Sequence, residues 1–230
     1  MDIQLDTINR SEVLRYLGYA GKEPDELVAT QLAEAERIVL RLAKPRAVYR
    51  LFDLERAGDV IRLRGTAFVL EGRDIRAHLR AADQCILMAA TLGAAVEREM
   101  RRVQVTDMPL ATVLDATASA AIEQVCDSLQ QELTALAAER RRFLTSRFSP
   151  GYGDMPLRQQ QTLCAVLDTA KIGLTVTDHF LLIPKKSVTA VLGLCPEPMT
   201  DEPGACALCN LADTCKQRKA GTACEKASVQ

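Results

Sequence analysis

The chain has 230 residues, 48% of them apolar, with 29 Lys+Arg balanced by 30 Asp+Glu, which is too apolar for a disordered chain and long enough for one sizeable core or two modest ones. A formal charge of −1, 4% aromatics and no Trp argue against a nucleic-acid binder, an anionic-membrane binder or a base-stacking platform. The apolar run from Cys85 to Val96 is shorter than the ~20 residues of a membrane span, and the opening MDIQLD lacks the basic and apolar regions of an export signal, so the expected location is the cytoplasm.

In chain order, Ser11 to Leu17 reads as a short helix stopped by Gly18. Pro24 introduces a longer helix with Val28, Leu32, Ala35, Val39 and Leu42 on one stripe, and Pro45 ends it. From Val48 to Leu70 the pattern turns strand-like: VYRLFDL and VIRLR flank Ala57-Gly58 as a hairpin, and AFVL follows. Asp74 is placed to cap a helix through Leu79, and the unbroken apolar stretch Cys85 to Leu92 predicts a strand buried on both faces. After Ala94 to Val105 comes a long helix from about Asp107 to Arg141, where Leu110, Leu114, Thr117, Ala121, Val125, Leu129, Leu133 and Leu136 recur at threes and fours. Glu123, Glu132 and Glu139 fall outside that stripe, and Arg140, Arg141 and Arg142 read as solvated charges complementing the helix dipole.

Phe143 to Phe148 can be extended, Ser149-Pro150-Gly151 forms a turn, and Pro156 opens a helix to about Ala170 that Gly173 closes. The strands LTVT, FLLI and SVTAVLGL follow. His78 reads as a helix-surface residue and His179 as a strand or loop residue. The fold class is α+β, with an antiparallel-rich sheet and packed helices including one long helix.

Eight cysteines divide the chain unevenly. Cys85, Cys126 and Cys164 lie in apolar periodic segments and read as small buried hydrophobes. Cys195, Cys206, Cys209, Cys215 and Cys224 fall in a Pro- and Gly-containing stretch, which divides the chain into a compact body, 1–194, and a Cys-rich tail, 195–230. Cys206-x2-Cys209 can clamp one ion between two thiolates, Cys215 can add a third, and Cys195 or Cys224 a fourth. A [4Fe–4S] cluster, a structural zinc or no metal at all fit this spacing, because it fixes sulfur number better than metal identity.

The segment Arg147-Phe148-Ser149-Pro150-Gly151-Tyr152-Gly153-Asp154 carries the strongest candidate chemistry. Gly151 and Gly153 permit positive φ or a close ligand approach, and Pro150 stiffens the turn. Arg147 offers a planar fork to a carboxylate or phosphate, and Tyr152 a ring and a hydroxyl. A small zwitterionic ligand suits this set; so does a tight turn whose Arg merely pairs with a surface acid.

This segment, with the Gln160 helix and Ile172 to Leu194 after it, resembles the activation domain of cobalamin-dependent methionine synthase. The family pattern Arg-x-x-x-Gly-Tyr, helix, Leu-Thr-Glu-Ser, apolar stretch, Pro and Ser-Val is matched by Arg147, Gly151, Tyr152, Thr177, Pro184, Ser187 and Val188. Similarity to stand-alone bacterial relatives extends over about residues 8–194, through EVLRYLGY, PRAVYRLFDL, MAATLGAAVEREMRRVQVTDM and LDATASAAIEQVCD. Arg141 stands where the family has an acid, Val176-Thr177-Asp178-His179 replaces Leu-Thr-Glu-Ser, and the family's C-terminal region with a further Tyr has no match after Leu194.

The resemblance implies a C-shaped α+β domain that binds S-adenosylmethionine, with Arg147 on the ligand's carboxylate, Tyr152 in the site, and backbone around Phe148, Ser149 and Gly151 reading the adenine. It also implies an accessory role in methionine biosynthesis: reactivating, by reductive remethylation, the cob(II)alamin of a cobalamin-binding partner such as a split methionine synthase. No cobalamin-binding Asp-x-His-x-x-Gly occurs here, so cobalamin would come only through that partner. The electron would come from a flavodoxin, a ferredoxin or an iron–sulfur tail. Two other readings remain. One is an iron–sulfur electron carrier for other corrinoid methyltransferases with a degenerate ligand site; the other is a zinc-clipped adaptor docking on a cobalamin domain. No self-contained acid–base pair or nucleophile marks a stand-alone turnover, so catalytic residues are not assigned.

Overall fold

The computed structural model describes residues 1–19 and 23–199. Helix α1 (Arg10–Tyr16) is capped by the Asn9 side chain, and α2 (Glu26–Leu42) by Asp25, which accepts from Val28 N. Strand β1 (Arg46–Ala57) turns through Gly58 into β2 (Val60–Leu63), and β3 (Val69–Leu70) follows. Then come α3 (Arg73–His78), β4 (Gln84–Thr91), α4 (Ala94–Thr106) and α5 (Met108–Glu139), a helix of 32 residues. Asp107 caps α5 by accepting from Leu110 N at 3.0 Å, as its place before Met108-Pro109 leads one to expect. After β5 (Phe143–Leu144), α6 (Gln159–Leu167) starts three residues beyond Pro156, which lies in a preceding turn. A 3₁₀ turn (Thr169–Ile172), the small hairpin β6 (Thr175–Val176) and β7 (Leu182–Ile183), and β8 (Ser187–Cys195) complete the order.

All pairings are antiparallel, and the six-stranded sheet runs β3-β2-β1-β4-β8-β5. The unbroken apolar sequence of β4 is explained by its central place: Ile86, Met88 and Ala90 join one core while Cys85, Leu87 and Ala89 join the other. The first core lies under α1, α2, α4 and α5, and Leu114, Ala121, Val125, Leu129 and Leu133 of α5 are within it. The second core lies on the opposite face, under α3, α6 and the strands β2 and β3. Alanines along α5, among them Ala118 and Ala121 at 0% exposure, let neighbouring elements approach closely.

Asp74 does not cap α3. The N-cap is Gly72, without a side-chain bond of its own, and the capping carboxylate comes instead from Asp154, about 80 residues on in sequence. Of the three arginines after α5, Arg142 pairs with Asp83 at 2.7 Å rather than standing in solvent, and Arg141 turns the chain with φ 56°. Among the described residues, no helix is long and apolar enough to cross a membrane.

Candidate functional site

Arg147 lies in the connection between β5 and α6, and strand-like pairing fixes its backbone. Phe148 N donates to Val191 O at 2.9 Å, and Val191 N donates back to Phe148 O at 2.8 Å. Side chains alternate across an extended segment, so Phe148 enters the second core while Arg147 reaches the polar face of α5. There Nη1 donates to Asp127 Oδ1 at 3.0 Å and Gln130 Oε1 at 2.9 Å, and Nη2 to Glu123 Oε2 at 3.1 Å and Asp127 Oδ1 at 3.0 Å. Burial works against the guanidinium's charge, but Cys126, Glu123 and Asp127 hold its pKa above the ordinary value. Its side chain is only 20% exposed, against 45% for Glu123 and 54% for Asp127. A largely sheltered cation therefore faces two acids that remain open to solvent.

The second half of the segment is a compact knot. Tyr152 N donates to Ser149 O, Met155 N to Tyr152 O and Gly151 N to Met155 O, each at 3.0 Å. Asp154 and Asp74 then clasp each other's backbone: the Asp154 carboxylate accepts from Arg73 N at 2.8 Å and Asp74 N at 2.9 Å, while Asp74 Oδ2 accepts from Asp154 N at 3.0 Å. Backbone N–H groups of Asp74 and Arg73 hold the Asp154 carboxyl below its usual range. Gly153 has φ 51°, and a Cβ there would stand 2.2 Å from Asp74 Oδ2, so this position requires glycine. The Tyr152 ring is 56% exposed and meets Phe148 edge-on at 6.4 Å between centroids.

The five expected binding residues thus occupy one short loop, with Tyr152 exposed, Arg147 turned onto α5 and Phe148 buried as support. Sequence reasoning missed Glu123, Asp127 and Gln130. Their i, i+4, i+7 spacing on one face of a long helix was a usable signal, but nothing in the sequence placed that face beside Arg147. The expected pairing with a surface acid is also present, and its partners belong to α5. The guanidinium is a fork suited to a carboxylate, and Asp127 and Glu123 are acceptors suited to an ammonium; here the two kinds of group satisfy each other.

His78 is not on the surface. It is 4% exposed, with Nε2 3.1 Å from Ser146 O and 2.9 Å from Thr145 Oγ1. His179 lies exposed in a turn. An open groove of about 340 Å³ lies between β3 and α6, lined by Phe68, Val69, Glu71, Arg158, Gln161 and Phe180, and the Arg147 loop does not line it.

Cys85, Cys126 and Cys164 are buried as expected, and burial pushes the first two thiols up to about 12. Cys195 ends β8 opposite Phe143 and is 1% exposed. Cys206, Cys209, Cys215 and Cys224 lie outside the described residues. Among the described residues, no group of three or more His, Cys, Asp or Glu side chains is arranged to hold a metal.

No family model and no curated protein sequence matches the chain. Solved structures do match it. One is a crystal structure of the MetH reactivation domain bound to AdoHcy, similar over 94% of this chain and 82% of that one, with a TM-score of 0.63 and 18% sequence identity. The chain therefore has the α+β fold, with its antiparallel sheet, of that reactivation domain.

Proposed function

We propose that the protein binds S-adenosylmethionine at the Arg147 loop and assists reductive remethylation of cob(II)alamin on a separate corrinoid protein, a split cobalamin-dependent methionine synthase. The observation that carries this reading is the sheltered Arg147 fork facing two solvent-open carboxylates on α5, a charge pattern complementary to an amino-acid head group. A solved structure of the same fold holds AdoHcy, the demethylated form of that methyl donor. In this reading Arg147 takes the ligand's carboxylate, Asp127 and Glu123 take its ammonium in place of the acid absent at position 141, and Tyr152 flanks the site. The N–H groups of Phe148 and Gly151 are taken by Val191 O and Met155 O, so the backbone left to the adenine is that of Ser149 and the Gly151 carbonyl.

S-adenosylmethionine supplies the methyl group, the electrons of the broken C–S bond staying on sulfur, and an external one-electron donor such as flavodoxin or ferredoxin supplies the electron. The chain's own contribution is orientation: it holds the sulfonium so that its methyl faces the partner's cofactor. Calorimetry with S-adenosylmethionine and with S-adenosylhomocysteine tests it. Wild type should bind both, and Arg147→Ala should lose affinity by about tenfold or more, the worth of a charge-assisted hydrogen bond. Absence of wild-type binding, alone and with a cobalamin-domain partner, would overturn this reading.

A second reading is favoured by one observation: four hydrogen bonds to α5 already occupy the Arg147 fork. With the ligand site so filled, the chain would be an electron carrier for corrinoid methyltransferases, using an iron–sulfur cluster on Cys206, Cys209, Cys215 and either Cys195 or Cys224 of the 195–230 tail. Visible and EPR spectra of anaerobically purified protein test that cluster. A colourless, zinc-bearing protein would instead support a zinc-clipped adaptor.

A further inference from the structure

We infer that His78 is a positioning residue for the Arg147 site, an inference that rests on Arg147 being the ligand-binding group. The imidazole comes from the last position of α3 and lies beneath the Arg147 loop, 68 residues on in sequence. It grips the chain on both sides of Arg147. Before it, Nε2 sits 3.1 Å from Ser146 O; after it, the imidazole packs on the Phe148 ring at 5.2 Å between centroids, tilted by 43°. Phe148 in turn meets the Tyr152 ring. One buried side chain thus touches both flanks of the guanidinium-bearing residue and, through Phe148, the phenol of the same site.

Proton accounting fixes how the ring acts. Thr145 Oγ1 accepts from Gly193 N at 2.8 Å and lies 3.2 Å from Ser146 O and 2.9 Å from His78 Nε2. With Nε2 carrying the proton, the ring donates to the Ser146 carbonyl and the Thr145 hydroxyl keeps its lone pairs for the Gly193 N–H. With Nε2 bare, the hydroxyl must turn to the ring, and Ser146 O gives up both of these donors. The first arrangement satisfies the groups gathered around Nε2 and holds the Ser146 carbonyl inward, which aims the following side chain outward across α5. Gly193 allows this closeness, since a Cβ there would lie 3.0 Å from Leu79 and Ala82 and 3.2 Å from Thr145.

Two variants separate positioning from packing. His78→Phe keeps a ring against Phe148 but has no donor; His78→Gln puts an amide N–H near the place of Nε2. Calorimetry with S-adenosylhomocysteine on protein shown to be folded by circular dichroism should give a Kd raised about tenfold or more in His78→Phe, since small misplacements of a binding group carry such penalties. His78→Gln should stay within about threefold of wild type, the spread of a neutral change. Equal binding by wild type and His78→Phe overturns the inference and leaves the proposed function standing. If wild type itself does not bind, the proposed function fails, and Arg147 Nε–H exchange with water, followed by ¹⁵N NMR, decides this inference separately. Exchange faster in His78→Phe than in wild type and His78→Gln supports it; equal exchange overturns it. Should His78→Phe not fold, the imidazole ¹⁵N spectrum of the wild type decides: a protonated Nε2 is expected, and a bare Nε2 contradicts it.

Discussion

One face of the sheet is covered by α1, α2, α4 and α5, whose Leu, Ile, Val and Ala side chains make an apolar layer continuous with Ile86, Met88 and Leu192. The other face is covered by short elements and connections, and buried polar side chains hold them in place. Gln159 accepts from Glu71 N and donates to Val69 O, completing the exposed edge of β3. Gln160 donates to Phe180 O and accepts from Thr189, Thr169 donates to Leu174 O, and His78 and Thr145 serve Ser146 and Gly193. The difference teaches where specificity is stored. Long helices satisfy their own backbone and need only an apolar stripe, whereas short connections leave buried N–H and C=O groups that particular side chains must meet. The candidate ligand loop is on the second kind of ground.

Removing a large side chain from the helical layer should have the greatest effect on stability and the least on binding. Leu114→Ala, at a position with 0% exposure, should lower the unfolding free energy by about 3 kcal/mol in urea titrations while leaving ligand affinity of the folded protein unchanged. A loss of affinity would erase the distinction between the two faces. On the other face, Gly153→Ala should cost about 2 kcal/mol, since it combines positive φ with a collision against Asp74, and it should weaken ligand binding as well.

Asp154→Ala should cost about 1 kcal/mol, the usual worth of a capping carboxylate, and that difference should depend on pH. The folded state lowers the Asp154 pKa, so its contribution is fully present above the ordinary Asp value of about 3.9 and declines as pH falls through the folded value. Urea titrations of wild type and variant across that range should therefore converge in acid. A gap that stayed constant would mean the carboxylate is not the cap.

The helical layer was legible because a period of 3.6 is written along α2 and α5, and the β1–β2 hairpin and buried β4 were legible from alternation, Ala57-Gly58 and an unbroken apolar run. The loop itself was marked by Arg147, Gly151, Tyr152 and Gly153. What could not be read were the groups brought to it from afar. Glu123 and Asp127 looked like ordinary solvent-facing residues of a helix, Asp74 looked like a local cap, and His78 looked exposed because α3 is too short to show a stripe. Each depends on contacts with residues far away in sequence, and no periodicity announces such contacts.

A crystal structure of the full chain with S-adenosylhomocysteine tests the central claim most directly. The ligand's carboxylate should lie within hydrogen-bond distance of the Arg147 guanidinium, with its ammonium at Asp127 or Glu123 and Tyr152 beside it. A ligand seated elsewhere, with Arg147 still fully engaged by Glu123, Asp127 and Gln130, would contradict it.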